Sequence, residues 1–137
     1  MAELVPNLQT LVDSDQFLSA VDVAAIDDML DARDCDPFDS EWCRVNELVT
    51  QRKLAADTAV YALRESAFKR AFAITESADA CGYISDDFGL LADASRADIS
   101  DPWLVALAAS YASGSLPHGE LTGDSRALDV VLSEFQP

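Results

Sequence analysis

From Phe38 to Cys81 the chain runs 44 residues without a glycine or a proline. Those two residues interrupt regular backbone most strongly, so a stretch this long without either is organised by helix rather than by turns. Within it Trp42, Val45, Leu48, Val49, Ala56, Ala59, Val60, Leu63, Ala67, Phe68, Ala71 and Phe72 recur at spacings of three and four, the period of an apolar helix face. Ser40 is the expected N-cap, with Glu41 in the first turn, and Gly82 stands where a stop at C′ would fall. Unbroken from Glu41 to Ser77, such a helix would be about 55 Å long, longer than a globule of this chain length is wide. The spacing therefore predicts a break near 50–57, where Thr50-Gln51-Arg52-Lys53 interrupts the apolar stripe for one turn.

Shorter helices are expected on either side. Upstream, the pattern gives Asn7 to Leu18 and Val21 to Arg33; in the second, Val23, Ile26, Met29 and Leu30 fall on one side and Asp27, Asp28 and Asp31 on the other. An acidic loop, Asp34 to Asp39, then leads into the long stretch, its geometry fixed by Pro37. Downstream, Ser85 is the expected cap of a helix reaching Ala97, which Gly89 weakens. Ser100 or Asp101, followed by Pro102, opens a helix that Gly114 stops, and a last helix runs from Asp124 to Phe135. No segment alternates as a strand does. The expected fold is all-α, a single compact domain of five or six helices around a long central stretch at 40–78, without internal repeats.

Half of the residues are apolar and 22 are alanine, too hydrophobic for a disordered acidic tail. Yet 25 acidic side chains face only 9 basic ones, a net charge of −16. Phosphate backbones and anionic lipid surfaces are bound through Lys and Arg, so direct nucleic-acid or membrane-surface binding is not expected. No basic n-region or long apolar run opens the chain, and no apolar run approaches the ~18 residues of a membrane span, which places the expected protein in the cytoplasm. Cys35, Cys43 and Cys81 are odd in number and lack C-x-x-C spacing, so free thiols are expected rather than a disulfide framework.

The charge is unevenly spread. Asp13 to Glu41 carries −9, Glu76 to Asp101 carries −6 and Glu120 to Glu134 carries −3, whereas Arg44 to Arg70 carries +3. Part of the acidity must be neutralised internally by that basic stretch on folding. Six bases cannot satisfy all the acids, so Asp27, Asp28 and Asp31, the loop with Asp34, Asp36 and Asp39, and the Asp86-Asp87 step are expected as exposed negative surface. Aspartate outnumbers glutamate by 18 to 7 and arginine outnumbers lysine by 7 to 2. That usage also fits a GC-rich genome or a salt-adapted cytoplasm, which are alternative origins of the acidic excess.

Little catalytic chemistry is written in the chain. Asp27-Asp28-Met29-Leu30-Asp31 matches the D-D-x-x-D pattern of helical prenyl-diphosphate enzymes, but no second acidic motif or diphosphate-binding bases accompany it. Glu76-Ser77-Ala78-Asp79 matches half of an all-α pyrophosphohydrolase motif and lacks the E-E-x-x-E half. The sole histidine, His118, lies between Pro117 and Gly119, far in sequence from any cysteine. No catalytic, cofactor or metal residue is assigned, and the chain is not expected to be an enzyme; the catalytic alternative is a metal-dependent hydrolase using paired carboxylates.

Tyr83 and Phe88, beside Asp86 and Asp87, concentrate aromatic and acidic side chains at one point, where they could clamp a turn in the core or anchor a partner. In size, sign of charge and helicity the chain resembles bacterial immunity proteins and phage-encoded acidic inhibitors, some of which imitate nucleic-acid charge. That resemblance carries over no residue. It implies a binding protein that occludes a basic partner, such as a toxin, a nuclease or a nucleic-acid-binding protein; the uneven charge and the aromatic cluster, rather than the resemblance, make Asp27, Asp28, Asp31, Asp34, Asp36, Asp39, Tyr83, Asp86, Asp87 and Phe88 the expected contact residues. The competing expectation is a helical adaptor that self-associates, as a homodimer, through the long stretch.

Overall fold

A computed structural model describes residues 4–137. Seven α-helices and one 3-10 turn make up the regular structure of the described residues, and no strand is found among them. The helices are α1 (Leu4–Asp13), α2 (Ile26–Arg33), α3 (Phe38–Thr50), α4 (Thr58–Thr75), α5 (Ala78–Arg96), α6 (Pro102–Ala112) and α7 (Leu128–Val131). The all-α expectation holds.

The long stretch breaks where its polar turn lies. α3 ends at Thr50, and α4 is started anew by Asp57, whose carboxylate accepts from the backbone N–H groups of Ala59 at 2.8 Å and Val60 at 3.3 Å. At its far end the stretch departs from expectation. α4 stops at Thr75, with Glu76 in the left-handed region at φ 55°, and Ser77 caps α5 by accepting from Ala80 N–H. Gly82 and Ser85 therefore lie inside α5 rather than at its boundary. Burial decides this: Cys81, Ile84, Phe88 and Leu91 all sit in the core, which stabilises a continuous helix by more than one mid-helix glycine costs it, about 1 kcal/mol.

Other boundaries moved for similar reasons. α1 ends at Asp13, and the following residues turn so that Phe17 and Leu18 enter the core, Leu18 at φ 55°. The expected helix from Val21 begins as a 3-10 turn, Val23–Ala25, capped by Asp22, before α2. α3 begins at Phe38 after a cis Asp36-Pro37 peptide, so Ser40 lies within its first turn and bonds the Asp36 carboxylate instead of capping. The last helix shrinks to Leu128–Val131, although Leu132 and Phe135 remain buried. α6 forms as expected: Asp101 accepts from Trp103 N–H at 3.0 Å and Leu104 N–H at 3.1 Å, Pro102 occupies the first turn, and Gly114 takes φ 90°.

α4 and α5, joined only by Glu76 and Ser77, pack along their lengths as the dominant helix pair. Leu63, Ala67 and Ala71 form the inward ridge of α4, at i, i+4 and i+8. Phe68 and Phe72, expected on that apolar stripe, stand one residue round from it and are exposed, as is Leu48 on α3. Arg64 crosses the α4–α5 seam over Gly89, where a Cβ would stand 2.9 Å from Arg64 Cδ. α1 packs on both long helices, and α3 packs on α5 and on α2. No helix of the described residues is long and apolar enough to cross a membrane.

Candidate functional site: an acidic groove between α2 and α5

Residues four and seven positions apart share one face of an α-helix. On α2 and its C-cap those positions are Asp27, Asp31 and Asp34, and on α5 they are Asp79, Tyr83 and Asp86. The fold sets these two ridges across from each other, so that all six residues line one open groove of about 750 Å³, with Leu30, Ala78 and Gly82 completing it. Five of its lining residues are aspartates.

α2 is held in place by a network buried beneath the groove. Asp87 accepts from Arg33 Nη1 at 2.8 Å and Nη2 at 2.7 Å, from Trp42 Nε1 at 2.9 Å and from the Tyr111 hydroxyl, while Arg33 Nη1 also reaches the Pro117 carbonyl at 3.1 Å. One carboxylate thereby ties together α2, α3, α5 and α6. Burial opposes the charge on Arg33, but the adjacent Asp87 outweighs it and raises the guanidinium pKa above its ordinary value. Burial, and then the Asp87 charge, push the Tyr111 phenol well above its usual range.

The bases of the 44–70 stretch are largely spent elsewhere. Arg44 pairs with Glu41 at 3.0 Å and Asp101 at 2.7 Å, Lys69 with Glu65 at 2.6 Å, and Arg70 donates to the Val12 and Ser14 carbonyls. Arg64 alone reaches the groove, 2.7 Å from Asp86, with both side chains substantially exposed. Among the described residues no Lys or Arg is within ion-pair distance of Asp27, Asp31, Asp34 or Asp79. At the groove's end the Tyr83 hydroxyl donates to Asp34 Oδ1, and that bond, with burial second, raises the Tyr83 pKa.

Of the residues expected on a binding surface, Asp27, Asp31, Asp34, Tyr83 and Asp86 come together in the groove. Asp39 lines an adjoining notch, and Asp28 and Asp36 are exposed but line neither. Asp87 and Phe88 require correction: both are 0% exposed. Asp87 is neutralised by Arg33, and Phe88 packs against Phe17 and Tyr111. Adjacent helical residues point about 100° apart: with Ile84 and Phe88 facing the core, Asp86 points away from it, whereas Asp87 lies on the flank where Arg33, Trp42 and Tyr111 meet it. Asp79, Leu30 and Gly82 were not anticipated; Asp79 becomes legible as a partner of Tyr83 and Asp86 only when 78–96 is read as one helix. No group of three or more His, Cys, Asp or Glu among the described residues is arranged to hold a metal ion.

No curated protein and no solved structure gives a significant match to the chain. A family model does match, over residues 7–118, an interval that contains both ridges of the groove and the buried network beneath it. With most of its length so matched, the chain belongs to the family Immunity protein PIM1.

Proposed function

We propose that this protein neutralises a toxin by laying the α2–α5 groove over a basic surface of it. Membership of an immunity-protein family makes a partner protein the ligand. The observation that favours this face is the pair of opposed acidic ridges, Asp27, Asp31 and Asp34 against Asp79 and Asp86, with Arg64 as the one base among the described residues within ion-pair distance of them. Asp27 and Asp31 repel each other at i, i+4, a few tenths of a kcal/mol of helix stability that a cationic partner would restore. Uncompensated charge of one sign steers a partner of the opposite sign during encounter and discriminates against others. Gly82 keeps the groove floor open between Ala78 and Tyr83.

The test is association with a basic toxin domain encoded beside this chain's gene, followed by calorimetry at rising ionic strength. The expected result is an affinity that falls steeply as salt increases and drops by about a hundredfold or more in the Asp27→Lys/Asp31→Lys variant. Salt-insensitive binding that survives the double reversal would overturn it.

A second reading, self-association, draws on α4, where Tyr61, Phe68 and Phe72 are 60%, 38% and 47% exposed along one flank. A dimer that persists on sizing chromatography at high salt, and that Phe72→Ser dissolves, supports it. A monomer under those conditions removes it.

A further inference from the structure

Beside the groove, and sharing Asp34, Tyr83 and Asp86 with it, lies a smaller notch of about 220 Å³ between α3 and α5. Phe38, Trp42 and Tyr83 line it, and Asp34, Asp39 and Asp86 lie around it. Its aromatic walls are already fixed in the free chain: Trp42 Nε1 is bonded to Asp87, the Tyr83 hydroxyl to Asp34, and the Phe38 ring lies under the Arg33 guanidinium, 4.5 Å from ring centroid to guanidinium carbon. A guest would not have to order them. Arg33, the base in the wall, is committed to Asp87, while no base among the described residues pairs with Asp34 or Asp39.

Aromatic side chains and carboxylates lining one notch suit one class of guest. An anion would be repelled, and a wholly apolar group would desolvate the carboxylates without replacing their hydrogen bonds. A long aliphatic stem with a cationic head satisfies both parts, and a planar guanidinium adds stacking on an indole and bidentate bonding to a carboxylate. We propose that the notch receives a single arginine side chain of the partner, its stem against Trp42 and Tyr83 and its guanidinium toward Asp34 and Asp39. This inference rests on the partner-binding reading of the neighbouring groove.

The test titrates the intact, isotope-labelled protein with N-acetyl-arginine amide and follows the two indole N–H resonances. Trp103, 5% exposed, serves as the internal control. The expected result is a saturable shift of Trp42 alone, absent with the neutral isostere N-acetyl-citrulline amide, and an affinity about two- to fivefold weaker in Asp39→Asn. A silent Trp42, an equal response to citrulline, or an Asp27→Asn variant that weakens binding as much as Asp39→Asn would overturn the notch assignment. If the notch stays silent while toxin association remains salt-sensitive and is lost in the Asp27→Lys/Asp31→Lys variant, the groove reading stands and only the arginine site falls. If arginine fills the notch but the toxin does not bind, the groove reading falls instead.

Discussion

Arg33 and Asp87 meet fork to fork inside the protein, through two hydrogen bonds of 2.7 and 2.8 Å, with side chains 2% and 0% exposed. A buried pair of this kind contributes little beyond what well-packed apolar residues would, but removing one member strands the other's charge. Arg33→Met is therefore expected to cost about 3–5 kcal/mol in urea unfolding. Arg33→Met/Asp87→Asn should recover a substantial part of that, because asparagine keeps an acceptor for Trp42 and Tyr111 without an unpaired charge. Equal losses in the single and double variants would show that the charge is not what matters there.

Asp101 caps α6 and also pairs with Arg44. Partial burial works against its ionisation, but the hydrogen bonds from Arg44 and from the α6 backbone outweigh it and lower the pKa. A carboxylate depressed on folding contributes stability above its unfolded pKa of about 3.9 and loses it as pH falls through the folded value. Asp101→Asn retains capping capacity and removes the ion pair. The variant should be less stable than the parent by up to about 1 kcal/mol at pH 7, with the gap closing as the pH falls below about 4.

Gly82 sits in the middle of α5 with nothing within 4 Å of the position a Cβ would take, yet it lines the groove. Gly82→Ala should stabilise the fold by about 0.5–1 kcal/mol, seen as a higher melting temperature. The same methyl projects into open space at a position that lines the groove and is expected to weaken toxin association. A variant gaining stability without losing affinity would remove Gly82 from the contact.

Asp31→Lys exchanges an i, i+4 repulsion with Asp27 for an attraction in the favourable orientation, acid before base. Helix α2 should gain about 0.2–0.5 kcal/mol, measured by thermal unfolding at low salt, while association with a basic partner declines. Opposite signs for stability and binding in one substitution separate a functional charge from a structural one.

The locally encoded features were legible in the chain. Asp101, Pro102 and Gly114 delimit α6 because cap and stop energies are set by residues within a turn or two of one another. The polar turn at 50–53 placed the break in the long stretch for the same reason, and Asp27 and Asp31 were visible on one face of α2. Gly82 misled because a glycine's helix-stopping tendency is weak beside the burial of Cys81, Ile84 and Phe88 on either side of it.

What tertiary structure alone decided is which carboxylates remain outside. Asp86 and Asp87 are chemically identical neighbours, yet Asp86 faces the groove and Asp87 lies in the core, bonded to an arginine 54 positions away. The opposition of Asp27, Asp31 and Asp34 to Asp79 and Asp86 likewise exists only once α2 and α5 are brought together. Capping and periodicity are short-range properties of the chain, whereas the cost of burying a charge depends on a counter-charge that only folding brings alongside it.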